Sequence, residues 1–229
     1  MHKSKIIKLI EETHDTKTIR FEKPQAFIYK PGQYGIFEHS FGDELIRRSY
    51  SFSSSPTEEF LQITVKLMSK GIMSSYLHGL NEGDELSYNA PIGKFVFDDH
   101  LTNVVFIAGG SGISPFRGMT KYIFDKNLDT KVSLIYGSRS PKDIILEHEF
   151  QTYLNHSNFK LFLTVDHPDE NWQWHRGFID ANFIMEAVNK EINDKTYFII
   201  GPALMVTSVK EALLSLGINE DIIRIDAWG

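Results

Sequence analysis

Hydrophobic and polar positions follow two rhythms along this chain. Up to about Asp98, short apolar runs alternate with polar residues: Lys17–Glu22, Gln33–Glu38, Ser49–Ser54 and Phe60–Met68. Turn residues at Pro31-Gly32, Glu82-Gly83-Asp84 and Pro91-Ile92-Gly93 punctuate them. A period of two puts alternate side chains on opposite faces, so strands at this spacing predict an N-terminal antiparallel β-barrel or sandwich. One segment breaks the alternation: Ile72–Leu80 reads as a short helix beginning near Ser74.

After His100 the pattern becomes strand, helix, strand, helix. Val104–Ala108 is continuously apolar, as a strand buried on both faces would be. Phe116, Met119 and Ile123 then recur at helical spacing. Further strands are predicted at Val132–Tyr136, Lys160–Val165, Thr196–Ile200 and Ile222–Asp226. Helices are predicted at Lys142–Leu154, Ala181–Glu191 and Ala203–Leu216. Five strands alternating with helices give a C-terminal α/β domain with a doubly wound, five-stranded parallel sheet. The two domains are expected at residues 1–99 and 100–229.

Composition narrows the chemistry. The chain has 229 residues, of which 41% are hydrophobic, enough for two small cores. Its net charge of -6 argues against nucleic acid as a partner. With no cysteine, the chain can form neither a disulfide nor a cysteine-ligated metal or iron–sulfur centre. None of the nine histidines falls in an H-E-x-x-H pattern, and the serine-rich Ser49–Ser55 stretch lacks G-x-S-x-G. No run approaches the roughly 20 apolar residues of a membrane span. A soluble cytoplasmic protein is expected.

The most informative segment is Val104-Val105-Phe106-Ile107-Ala108-Gly109-Gly110-Ser111-Gly112-Ile113-Ser114-Pro115. A buried strand ends in Gly109, Gly110, Ser111 and Gly112. Ser114 and Pro115 are then suited to cap and open a helix. Glycines let the backbone approach a pyrophosphate, and the helix start offers unpaired N–H groups to an anion. Proline replaces the last glycine of G-x-G-x-x-G, so the same residues are also compatible with a tight turn that binds nothing. After the second parallel strand come Ser138 and Arg139, with no acid before Asp143. A hydroxyl and a planar guanidinium there suit a 2′-phosphate, which favours NADPH over NADH.

Several motifs together resemble the ferredoxin–NADP reductase-like flavoproteins, in order from about residue 31 to 226. Arg48-Ser49-Tyr50-Ser51-Phe52-Ser53-Ser54 resembles that family's R-x-Y-S-x-x-S signature, and Pro31-Gly32-Gln33-Tyr34 its preceding turn. Gly71-Ile72-Met73-Ser74 is similar to its flavin-phosphate segment, Gly109–Pro115 to its nicotinamide-phosphate loop, and Gly201-Pro202-Ala203-Leu204-Met205 to its G-P-x-x-M turn.

The resemblance implies a flavin-binding β-barrel over residues 1–99, bound FAD and a hydride passed to flavin N5 from NADPH or NADH. It places Arg48 on the flavin phosphates, Tyr50 on the isoalloxazine face and Ser51 near N5. Val65 and Lys66 would line the ring edge, and Gly71, Met73 and Ser74 the phosphate turn. Gly201, Pro202 and Met205 would shape the nicotinamide pocket. Two departures stand out. Ile200 replaces the cysteine that many relatives carry before Gly-Pro. The chain also ends Asp226-Ala227-Trp228-Gly229, so Trp228 is a candidate cover for the flavin with Asp226 near the hydride path. With no fused redox domain, the implied partner is a separate electron-acceptor protein. A free-flavin reductase and a non-catalytic nucleotide-binding subunit are the competing readings.

Overall fold

A computed structural model describes residues 1–228, except for the side chain of Trp228. Packing divides these residues into two compact units. One comprises residues 1–97 with 114–126, and the other residues 98–113 with the chain from 127 onward.

The first unit is the barrel. Its strands are β1 (His2–Thr13), β2 (Thr16–Glu22), β3 (Tyr34–Phe41), β4 (Glu44–Ser51), β5 (Phe60–Lys66) and β6 (Glu85–Ile92). They pair antiparallel in the order β4-β3-β6-β1-β2-β5. An antiparallel bridge from Phe52 to Ile63 joins the two ends of that order, turning a sheet into a barrel. Alternation fills the interior. Ile19, Phe21, Phe37, Phe52, Leu61, Ile63 and Tyr88 are buried in one cluster. Phe37 stacks on Tyr88 with ring centroids 5.2 Å apart. A short helix, α1 (Ile72–His78), follows β5 and buries Met73 and Leu77 against this core.

The second unit holds β7 (Asn103–Gly109), β8 (Lys131–Ser138), β9 (Phe159–Val165), β10 (His175–Arg176), β11 (Thr196–Pro202) and β12 (Ile223–Trp228). All adjacent pairs are parallel, in the order β10-β9-β8-β7-β11-β12. The five strands read from the sequence are present. The sixth, β10, corrects the count: two residues are too short to leave a periodic signal. Chain order runs outward from β7 to β10, then reverses to β11. The carboxyl ends of β7 and β11 therefore flank the topological switch point, where such sheets bind ligands. Helices α4 (Ala181–Ala187) and α5 (Ala203–Ser215) pack with Val105, Ile107, Ile135 and Ile199. In place of one helix over 142–154 there are two 3₁₀ turns flanking α3 (Glu147–Thr152), interrupted at Leu146 with φ +59°.

Between β7 and β8 lies α2 (Ile113–Asp125), entered through a 3₁₀ turn at Gly110–Gly112. The helical path thus begins at Gly110, ahead of the Ser114 cap read from the sequence. Gly110, at φ +53°, makes the earlier start possible. Through Phe116, Met119 and Tyr122, α2 groups with the barrel unit; Phe116 meets Phe95 and Tyr122 meets Phe97. No helix among the described residues is long and apolar enough to cross a membrane.

Candidate functional site

In the barrel unit, strand parity separates two adjacent arginines. Arg48 lies opposite Phe37, and Tyr50 opposite Gly35, on the core-facing side of the β3–β4 ladder. Arg47 lies on the reverse side, opposite Glu38, and its Nε donates to Glu38 Oε2 at 2.9 Å. That reverse side opens into a cavity of about 480 Å³ lined by Met1, Ile36, Glu38, Arg47 and Asn89. Arg48 is exposed although it shares a face with buried Ile46, and among the described residues its guanidinium donates only to the carbonyl of Arg47. It has no carboxylate partner among the described residues.

Tyr50 packs edge-on against Phe37, ring centroids 5.8 Å apart, and leaves part of its ring accessible. Burial pushes its hydroxyl up to about 12, against a smaller downward pull from Arg48. It is a neutral aromatic surface throughout the physiological range. Ser51, across from Tyr34, makes no side-chain hydrogen bond among the described residues.

The other residues expected around a flavin are more committed. Val65 is buried and its carbonyl is hydrogen-bonded by His78 Nε2 at 2.9 Å. Lys66 pairs with Asp15 at 2.8 Å. Met73 is in the core. The Ser74 hydroxyl donates to Gly71 O at 3.0 Å and accepts from Met68 N at 3.1 Å, so it shapes the turn. Gly71 supplies no side-chain cap to α1. A guanidinium with no carboxylate partner, a half-open aromatic face and a hydroxyl with no hydrogen bond among the described residues, all on one strand, fit an anionic aromatic cofactor such as FAD.

In the sheet unit, glycines occupy the rim at the switch point. A β-carbon at Gly109 would stand 2.3 Å from Met205 Sδ and 3.1 Å from Pro202 Cδ. One at Gly201 would stand 3.0 Å from Met205 Cε and 3.2 Å from Gly109 N. Met205 therefore seals two strand ends that touch backbone to backbone. Gly110 projects into open space, with nothing within 4 Å of a β-carbon built there. Beside it, Ser111 is partly exposed and Gly112 is buried.

At the end of β8, Ser138 is 6% exposed and its hydroxyl has no hydrogen-bond partner among the described residues. Arg139 is exposed. Asp226, paired with Ile200, carries a carboxyl raised by burial and partly relieved by the Ala227 N–H. The Trp228 expectation falls on a side chain outside the described residues. An open glycine turn next to an orphaned buried hydroxyl fits a dinucleotide.

Sequence reading missed the partners of these groups. Glu38, which singles out Arg48 as the available arginine, Asp15 on Lys66, and Asp166 beside Arg139 all come from other strands or turns. Only strand register could have revealed them.

Comparison with known proteins agrees with both halves. A family model of the oxidoreductase FAD-binding domain matches residues 3–97, and one of the oxidoreductase NAD-binding domain matches residues 106–211. The chain is 31% identical over 237 residues to the glycine betaine monooxygenase reductase subunit of Chromohalobacter salexigens, covering all of this chain and 64% of that protein. It is 30% identical to a subunit of the Na(+)-translocating NADH-quinone reductase of Yersinia pseudotuberculosis, covering 97% of this chain and 59% of that one. The chain thus spans less than two thirds of the length of these curated relatives.

The fold is similar to that of a ferredoxin NADP+ reductase from Neisseria gonorrhoeae with bound FAD and NADP, with TM-score 0.87, 21% identity and coverage of 99% and 98% of the two chains. It is also similar to the cytochrome b5 reductase domain of Ulva prolifera nitrate reductase, with TM-score 0.85, 23% identity and coverage of 99% and 96%. Fold and matches define a flavoprotein with an FAD-binding barrel and an NAD-binding parallel sheet. The chain belongs to the ferredoxin–NADP reductase-like flavoproteins.

Proposed function

We propose that this chain is the reductase module of a multicomponent redox system. It takes reducing equivalents from NAD(P)H into FAD and passes electrons to a separate acceptor such as a ferredoxin, a flavodoxin or an oxygenase component. When bound, FAD would accept hydride at N5 and release electrons one at a time. The hard chemistry belongs to the cofactors, and the residues of this chain bind and orient them.

In this reading residues 1–99 hold the flavin and residues 100–229 the dinucleotide, in the cytoplasm. Arg48 neutralises the flavin phosphates, Tyr50 covers one ring face, and Ser51 offers its hydroxyl to the ring edge. Val65, Lys66, Gly71, Met73 and Ser74 form the wall and turn beside them. Gly109, Gly110, Ser111 and Gly112 carry the dinucleotide phosphates. Gly201, Pro202 and Met205 floor the nicotinamide end, with Asp226 and Trp228 next to it in the sequence of β12.

The carrying observation is that one chain matches both an FAD-binding and an NAD-binding domain. The names of the two reductase relatives support a separate acceptor. The test is anaerobic titration of the flavin-loaded protein with NADH and with NADPH. Rapid bleaching of a flavin that stays bound through gel filtration is expected. A flavin that neither coenzyme bleaches would refute the reading.

A further inference from the structure

Between β2 and β5 the barrel carries a row of polar side chains that face away from its core and are nevertheless buried. Leu61, Ile63 and Val65 belong to the core, so strand parity turns Gln62 and Thr64 to the other face. There Gln62 is 1% exposed and Thr64 5%. Register sets Arg20 opposite Gln62 and Thr18 opposite Thr64. Arg20 lies 3.7 Å over the Phe60 ring and donates through Nε and Nη2 to Gln62 Oε1 at 3.2 and 3.0 Å. An amide nitrogen cannot accept from a guanidinium, so these two bonds fix the oxygen end of the carboxamide towards Arg20. Gln62 Nε2 is thereby turned to Ser53 and donates to its Oγ at 3.3 Å. Ser53 Oγ is bonded in turn to Thr64 Oγ1 at 3.0 Å, and Thr64 Oγ1 to Thr18 Oγ1 at 2.9 Å. The Gln62 backbone adds two contacts: its carbonyl accepts from Ser53 N at 2.8 Å, and its N–H donates to Ser54 Oγ at 3.0 Å.

Ser53 and Ser54 lie just beyond Tyr50 and Ser51 in the chain. A buried polar network whose members are bonded at both ends makes its surroundings rigid and is costly to disturb. We infer that Gln62 is a positioning residue for the flavin strand: its carboxamide holds Ser53, and through Ser53 sets the direction of the Tyr50 ring and the Ser51 hydroxyl. The inference rests on the proposed function and deepens it for the same site. So deeply buried a side chain acts through Ser53 and not on the flavin.

The fluorescence of bound flavin reads ring stacking directly, so it separates positioning from stability. In the unaltered protein Tyr50 should quench bound FAD strongly. Gln62→Leu removes the whole side-chain link, and Ser53→Ala cuts it while Arg20 and the backbone contacts stay. Both variants should bind FAD with raised fluorescence. Both should also lower the rate of anaerobic flavin reduction at saturating coenzyme by about tenfold, with the apparent coenzyme Kd changed by less than about twofold. Gln62→Glu still accepts from Arg20 and can accept from the Ser53 hydroxyl, so it should restore both readouts. Melting temperatures measured alongside report folding, and if Gln62→Leu does not fold the other two variants decide. A folded, FAD-loaded Ser53→Ala variant with unmoved fluorescence and reduction rate would overturn the inference. So would a Gln62→Glu variant that shows the raised fluorescence and slowed reduction expected of Ser53→Ala. Failure of the proposed function shows differently, in an unaltered protein that binds no FAD or whose flavin no coenzyme reduces, and it would take the inference with it.

Discussion

Arg117 and Glu58 form a two-pronged ion pair almost entirely out of solvent, their side chains 5% and 10% exposed. Arg117 Nη2 donates to Glu58 Oε1 at 2.9 Å, Nη1 donates to Oε2, and Nη1 also donates to Ser53 O at 3.2 Å. Glu58 Oε2 in turn accepts from Ser55 N at 2.7 Å. The pair fastens α2 to the barrel turn that follows Tyr50 and Ser51. At Gly118 the helix comes so close that a β-carbon would stand 2.5 Å from Ser54 O.

Removing one partner should therefore be costly. Arg117→Met leaves a carboxylate in a site with little water, and losses of about 3–5 kcal/mol are usual for such changes. Urea unfolding of the barrel should report a drop of that order. The double variant Arg117→Met, Glu58→Leu should regain a substantial part, because two apolar groups need no partners. A single variant within 1 kcal/mol of the unaltered protein, on the order of a surface ion pair, would mean that water reaches the pair.

The contact between Gly109 and Met205 predicts a rescue. Gly109→Ala forces a methyl into the Met205 thioether, and overpacking of this kind costs about 1–3 kcal/mol. The thioether is flexible and half-buried, so shortening it should relieve the clash. In a Met205→Ala background the cost of Gly109→Ala should fall below about 1 kcal/mol, leaving the smaller conflict with Pro202. Thermal melts of the four proteins complete the cycle, and strictly additive losses would contradict the contact.

How much of the molecule is legible in its sequence follows from the range of each interaction. Local period marks Phe60–Lys66 as a strand and Val104–Ala108 as a buried one, because each pattern is written within seven residues. The order of motifs in the chain also carries the family. The helix start falls ahead of Ser114 because three glycines can enter a helix by a 3₁₀ path that no propensity records. Arg117 with Glu58, and Asp166 with Arg139, are invisible in the sequence for a different reason. Their partners lie 59 and 27 positions away, and register between elements is a property of the assembled fold. Partners that meet across elements are thus harder to read than the strands that carry them.

Arg47 and Arg48 should behave differently in flavin retention. Arg47 is paired with Glu38 on the reverse side of the strand, while among the described residues Arg48 has only a neighbouring carbonyl. A charge-assisted contact to phosphate contributes about 1.5–3 kcal/mol. Arg48→Ala should weaken FAD binding by about tenfold to a hundredfold, and Arg47→Ala should leave it nearly unchanged. Fluorescence titration of the stripped protein with FAD measures both, and equal losses would remove the distinction between the two faces.

Tyr50 gives a pH dependence with a defined sign. Its hydroxyl titrates near 10.0 when unfolded and at about 12 in the fold, raised by burial. The neutral form is the one the fold favours, so its contribution is complete below pH 10. It is lost as the pH climbs from about 10 to 12, where the unfolded chain releases the proton first. Tyr197, likewise raised to about 12 by burial, acts in the same window. Tyr50→Phe should lessen the fall in melting temperature across that range without abolishing it. An identical pH profile for Tyr50→Phe would show that the hydroxyl is hydrated in the fold.

Ser138 should trade stability against ligand affinity. Its buried hydroxyl has no partner among the described residues, and a buried hydroxyl left unpaired costs about 1–3 kcal/mol. Ser138→Ala removes that group with almost no change in volume, so the ligand-free protein should become more stable by about 0.5–2 kcal/mol. If the hydroxyl is kept for the adenosine end of a dinucleotide, the same variant should bind 5′-AMP less tightly, and the stabilisation should shrink as 5′-AMP is added. Melting curves with and without the nucleotide read both effects. A variant less stable than its parent would indicate that water already satisfies the hydroxyl. A more stable variant with unaltered 5′-AMP affinity would make Ser138 a plain packing residue, and would put the nucleotide elsewhere on the sheet edge.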